Sequence, residues 1–170
     1  MNSNRAVLNT SLLVLGIFSV LFFIQAAHML EHVAQVVQKF MLHWKRAPGI
    51  LGDVFDFEWV HFVYNVGLWI GLFVIYRWLR RVDPKAIPGM MTALVWFQGY
   101  HSIEHVAKMY QYYAYGITVG PKGILGFVFP IIWLHFFFNL IVLVMMVVTL
   151  FQLRKAFRRE MGPSPTPAMA

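Results

Sequence analysis

Cysteine is absent from this chain of 170 residues, which excludes disulfides, thiolate metal sites and iron–sulfur clusters. Any metal must be held by nitrogen, by oxygen or by methionine thioether. Charge is scarce as well. Only 12% of residues are charged, against ~25% in a soluble domain, while 59% are hydrophobic and the mean hydropathy is +0.63. Such a chain cannot hide its apolar surface in one soluble core, so lipid is expected to cover much of it. Acidic residues number 7 against 14 Lys and Arg, for a net charge of +7. The basic residues flank apolar runs, where they set membrane topology, so a nucleic-acid partner is not expected.

What the chain has is apolar length. Spanning ~30 Å of hydrocarbon takes about 20 helical residues. Ser11–Leu30, Trp59–Tyr76 and Ile124–Phe151 meet that length easily. Ile87–Ile103 is weaker, because it ends in Tyr100-His101-Ser102-Ile103-Glu104-His105. The expected fold is an all-α integral membrane protein, a bundle of four transmembrane helices. Arg5 ahead of an apolar stretch ending in Ala26-Ala27 has the outline of a cleaved leader, but the end of that stretch matches a segment deep in the chain. Arg77, Arg80, Arg81 and Lys85 fill the link between the second and third spans, and Arg154, Lys155, Arg158 and Arg159 follow the fourth. The excess of Lys and Arg marks the cytoplasmic side. Both termini are therefore expected in the cytoplasm, with the bilayer that of a bacterial inner membrane. The residues Val33–Trp44 are expected to extend the first helix as an amphipathic segment, since Val33, Val36, Val37, Phe40 and Met41 fall near one face.

Two tandem copies of one helical hairpin account for the polar residues. Gln25, His28, Glu31, His32, Val33, Ala34 and Gln38 recur as Gln98, His101, Glu104, His105, Val106, Ala107 and Gln111. After a slip of one residue, Gly49-Ile50-Leu51-Gly52, Phe55, Trp59, His61, Phe62 and Asn65 recur as Gly123-Ile124-Leu125-Gly126, Phe129, Trp133, His135, Phe136 and Asn139. Chance likeness between apolar helices matches Leu, Val and Phe, not Gln, His, Glu and Asn in register. The expected organisation is a first two-helix repeat over 1–81 with an outer loop at 43–58, a second repeat over 82–160, and a disordered tail at 161–170. Two halves of equal topology should be related by a pseudo-twofold axis along the membrane normal.

At ~1.5 Å per residue, the six repeated histidines are expected at one depth, in the outer third of the bilayer. His28 and His32 share a helix face, as do His61 and Asn65, because both pairs are spaced i, i+4. Imidazole with carboxylate suits Fe, Cu or Zn. The expected metal ligands are His28, His32, His61, His101, His105 and His135, with Glu31 and Glu104 beside them. Gln25, Gln98, Asn65 and Asn139 are expected just behind, bonding the second nitrogen of a ligating histidine. Intramembrane ionisable residues are costly and point to function, although transmembrane His, Gln and Asn also serve as interhelical glue at ~0.6 kcal/mol. His-x-x-Glu-His is also the inverzincin spacing, but nothing else of a soluble peptidase accompanies it. The pattern resembles, in ligand type only, the histidine boxes of membrane di-iron hydroxylases and desaturases, which lie on the cytoplasmic side and use more histidines.

Three functions fit these residues. One is a transition-metal site, dinuclear if each half holds an ion, in a redox enzyme or in a metal-holding subunit of a membrane oxidoreductase. The second is a b-type haem electron-transfer subunit, which an i, i+4 pair suits less well because it cannot ligate both faces of one haem. The third is a non-catalytic subunit whose polar layer packs helices or contacts a cofactor of a neighbouring membrane subunit. Transport is the weakest option, because Leu68–Tyr76 and Ile141–Phe151 carry no charge.

Overall fold

The computed structural model describes residues 2–52, 57–118 and 120–160. Four long helices run through them: α1, Asn2–Val36; α2, Phe57–Val82; α3, Gly89–Ala114; and α4, Ile131–Glu160. No strand occurs among the described residues. Prolines set two of the boundaries. Pro88 stands in extended conformation immediately before α3, and Pro130 precedes α4, its carbonyl accepting from Leu134 N at 3.0 Å. Between α2 and α3, Asp83 Oδ1 accepts from Lys85 N at 2.9 Å and caps the short turn Pro84–Ala86.

The extension of α1 is shorter than expected. The helix widens into one π-helical turn at Val37–Met41 and stops there, with His43 at φ 54° leading the chain away. The tail 161–170 lies outside the described residues, as does part of the loop expected at 43–58.

α1 packs along α4 and α2 along α3, with smaller contacts closing the ring between α3 and α4 and between α1 and α2. Alternating chain direction then puts the two loops that follow α1 and α3 at one end. The interior divides along its length. Val14, Phe18, Leu72, Met91, Leu94, Val142, Met146 and Leu153 fill the half away from those loops. Nearer the loops the buried residues turn polar: Gln25, Asn65, Gln98, Asn139 and six histidines.

Three stretches, Thr10–Met41, Glu58–Val82 and Ile131–Arg158, are long and apolar enough to cross a membrane. α3 is long enough but carries Gln98, His101, Ser102, Glu104, His105 and Lys108, and these lower its hydropathy. All six are buried. Its exposed face shows Trp96, Ile103, Val106 and Tyr110 instead, so the polarity that weakens it in the sequence is turned inward.

Candidate metal centre

The site is built from the loops inward. Glu31 accepts from the backbone N–H of Ile50 at 2.9 Å and of Leu51 at 3.2 Å. Glu104 does the same for Ile124 at 2.7 Å and Leu125 at 3.1 Å, and also accepts from the Tyr100 hydroxyl at 2.9 Å. Gln38 and Gln111 clamp the same loops, each donating to one glycine carbonyl and accepting from that glycine's N–H. Those residues are Gly49 at φ 81° and Gly123 at φ 69°. Glycine is required twice over, because the left-handed region suits it and a Cβ on Gly123 would sit 2.6 Å from Glu104 Oε2. The two carboxylates expected beside the metal are thus committed to pinning the loops down against the helices.

Beneath the histidines lies an amide layer. Gln25 Nε2 donates to both the backbone oxygen and Oδ1 of Asn139, each at 3.1 Å. Gln98 Nε2 donates to the same two oxygens of Asn65, at 3.2 and 3.1 Å. Each Asn in turn donates back to the carbonyl of the histidine one turn earlier, His61 or His135, at 2.9 Å. These amides join α1 to α4 and α2 to α3, and no bond from them to an imidazole nitrogen is seen among the described residues. The Tyr64 hydroxyl donates to Gln25 Oε1 at 2.5 Å, and its ring stacks on His28 with centroids 3.8 Å apart.

The structure brings all six histidines together. His28 and His32 from α1 with His61 from α2 form one buried triad, and His101 and His105 from α3 with His135 from α4 form another. In each, one ring nitrogen from every member lies within 4.8 Å of the others, so that the triad could hold a metal ion. Ring centroids are 4.7, 4.9 and 5.2 Å apart in the first triad and 5.0, 5.1 and 6.0 Å in the second. Two near-parallel contacts join the triads, His32 to His135 at 6.2 Å and His61 to His105 at 5.9 Å. The result is one continuous layer. The seventh histidine, His43, lies outside the correspondence between the halves and is exposed.

For two of the rings the hydrogen-bond partner of Nδ1 is an oxygen. His32 Nδ1 lies 3.0 Å from Gln35 Oε1, an acceptor, so Nδ1 carries the proton and Nε2 keeps its lone pair. That Nε2 lies 3.1 Å from His28 Nε2. His135 Nδ1 lies 2.9 Å from the carbonyl of Ile131, which leaves Nε2 as the bare nitrogen, buried and without a hydrogen-bond partner. Both ring nitrogens of His101 and His105 are also buried without one. An unsatisfied buried polar group costs ~1–3 kcal/mol, and a metal that accepts a lone pair while the other nitrogen is anchored is a standard way to satisfy such a ring.

Sequence reasoning missed Gln35, Lys108 and Glu58. Lys108 is buried and pairs with Glu58 at 2.8 Å. Gln35 is one turn beyond His32 on the same face, which was the available signal, but its counterpart in the second half is Lys108 and the mismatch hid it. A cavity of about 60 Å³ is lined by His32, Gln35, His61, Lys108 and His135. A smaller one of about 10 Å³ lies between His28, Glu31 and His61.

The chain matches no known protein family, no curated protein and no solved structure.

Proposed function

We propose that this protein is an integral membrane metalloprotein in which the two histidine triads hold a dinuclear transition-metal centre, serving as a redox enzyme or as the metal-holding subunit of a membrane oxidoreductase. The observation that carries this is the anchored tautomer of His32 and His135, each with Nδ1 tied back and Nε2 facing the cluster. Interhelical glue would pair imidazoles with acceptors on neighbouring helices. Here the interhelical bonds are made by the amide layer, and the imidazoles are gathered against one another. Cavities of about 10 and 60 Å³ at the histidines suit ions and small ligands, whereas an organic cofactor needs ~300 Å³ or more. That favours metal over haem. The chemistry available at imidazole-ligated Fe or Cu includes electron transfer and activation of small molecules; at Zn it is confined to Lewis-acid and hydrolytic steps.

In this reading α3 is the fourth span. Its inward polar residues and apolar exposed face support it, and so does the pairing of contacts. The Glu–loop, Gln–Gly and Asn–His bonds occur once in each half, and the Gln–Asn bond crosses between the halves twice, as tandem hairpins about a pseudo-twofold axis would produce. The Lys and Arg bias supports cytoplasmic termini and a metal centre on the outer side.

The test is metal content. Protein purified in mild detergent, stripped and reloaded with Cu(II) or Fe(II), is expected to bind close to two equivalents. His61→Ala or His135→Ala should lose about one, because each is the only histidine its helix contributes to a triad. Retention of both equivalents in both variants would contradict the assignment.

A further inference from the structure

The two halves differ where the metal centre meets its loops. Gln35 stands beside His32 in the first half, and Lys108 occupies the matching place beside His105 in the second. Both are nine-tenths or more buried, at 3% exposure each, and both line the 60 Å³ cavity between α1, α2, α3 and α4. Gln35 uses its oxygen to hold His32. Its Nε2 is buried with no hydrogen-bond partner. The Lys108 ammonium has three N–H donors, and the Glu58 contact engages one side of it. The cavity is therefore furnished with donors, is floored by imidazoles of both triads, and is several times the ~10–15 Å³ that one water needs.

Charge points the same way. Six imidazoles bring no negative charge to a metal, Glu31 and Glu104 are held by loop N–H groups, and Glu58 is engaged by Lys108. Two divalent ions in a low-dielectric layer would lack compensation, and uncompensated buried charge is strongly unfavourable. We propose that this cavity admits a small anion of two to four heavy atoms to the metal centre, bound on one side by metal and on the other by the Gln35 Nε2–H and the Lys108 ammonium. This rests on the metal reading above.

The probe is azide, titrated into copper-loaded protein in detergent and followed by its charge-transfer absorption. Saturable binding is expected in the unmodified protein. Gln35→Glu keeps the acceptor that holds His32 but replaces the free N–H with a negative oxygen. Copper loading should persist while azide affinity falls roughly ten- to hundred-fold, the worth of a hydrogen bond to a charged group. The double variant Lys108→Gln/Glu58→Gln removes both charges together, so neither ion is left buried alone, and should weaken azide by a similar factor. Azide binding of equal strength in all three copper-loaded proteins, or none in copper-loaded unmodified protein, would overturn the anion pocket alone. Failure of the unmodified protein to load copper, iron or zinc would overturn the metal reading and this proposal together.

Discussion

Replacing Glu104 with Gln separates a loop latch from a metal ligand. The carboxylate accepts from Ile124 N at 2.7 Å, Leu125 N at 3.1 Å and the Tyr100 hydroxyl at 2.9 Å. An amide of the same shape keeps one oxygen acceptor but turns an NH₂ toward backbone N–H groups, which can only donate, or toward the Tyr100 hydroxyl, which can turn to accept. At least one charge-assisted bond is lost, worth ~1.5–3 kcal/mol, and one backbone N–H is left facing another donor at a further ~1–3 kcal/mol. Relaxation of the loop recovers part of that, so the expected destabilisation is about 2–4 kcal/mol. Thermal unfolding in detergent should register it as a drop of roughly 5–15 °C, at ~2–4 °C per kcal/mol for a chain of this size. Glu31→Gln, without the tyrosine contact, should fall at the lower end. In both variants the folded protein should keep its full metal complement. A Glu104→Gln protein that is as stable as the parent but binds one metal fewer would refute the latch and make the carboxylate a ligand.

Other perturbations test the neighbouring layers. Gln98→Leu should cost about 1–3 kcal/mol by leaving Asn65 Oδ1 buried and unsatisfied, and Gln98→Leu/Asn65→Leu should cost less than the sum of the single changes, which a double-mutant cycle in thermal unfolding would show. Lys108→Met deprives buried Glu58 of its cation and should destabilise by ~3–5 kcal/mol, with much of the loss recovered in Lys108→Met/Glu58→Leu; equal stability of the single and double variants would argue against the ion pair. Metal should be released as the buffer is made progressively more acid, because protons compete for the ligating nitrogens. Dialysis against buffers of stepped pH with metal analysis measures it. Metal content that does not change at any acid pH at which the protein stays folded would speak against imidazole ligation.

Much of this arrangement is legible in the residues. His28, His32 and Gln25 share a stripe on α1, and the same stripe recurs on α3, so the gathering of six imidazoles follows from helical periodicity and the correspondence between halves. The roles of the neighbours are less so. Glu31 and Glu104 look like ligands because they sit in His-x-x-Glu-His, yet their side chains turn toward loops some twenty residues ahead. Only the folded loop, with its positive-φ glycine, reveals the N–H groups that claim them. Gln25 and Gln98 look like partners for imidazole, but the packing of α1 on α4 and α2 on α3 brings an asparagine closer. Gln35 and Lys108 stay hidden because correspondence highlights what is shared, and these two positions matter where the halves differ.

X-ray absorption at the metal edge of reconstituted protein counts the imidazole nitrogens around each ion. Close to two first-row metal ions per chain are expected, each with about three imidazole nitrogens in a shell near ~2.0–2.1 Å for zinc. A folded, stripped and reloaded protein whose metal shows fewer than two imidazole nitrogens, or that binds no metal at all, would rule out the histidine triads as a metal centre.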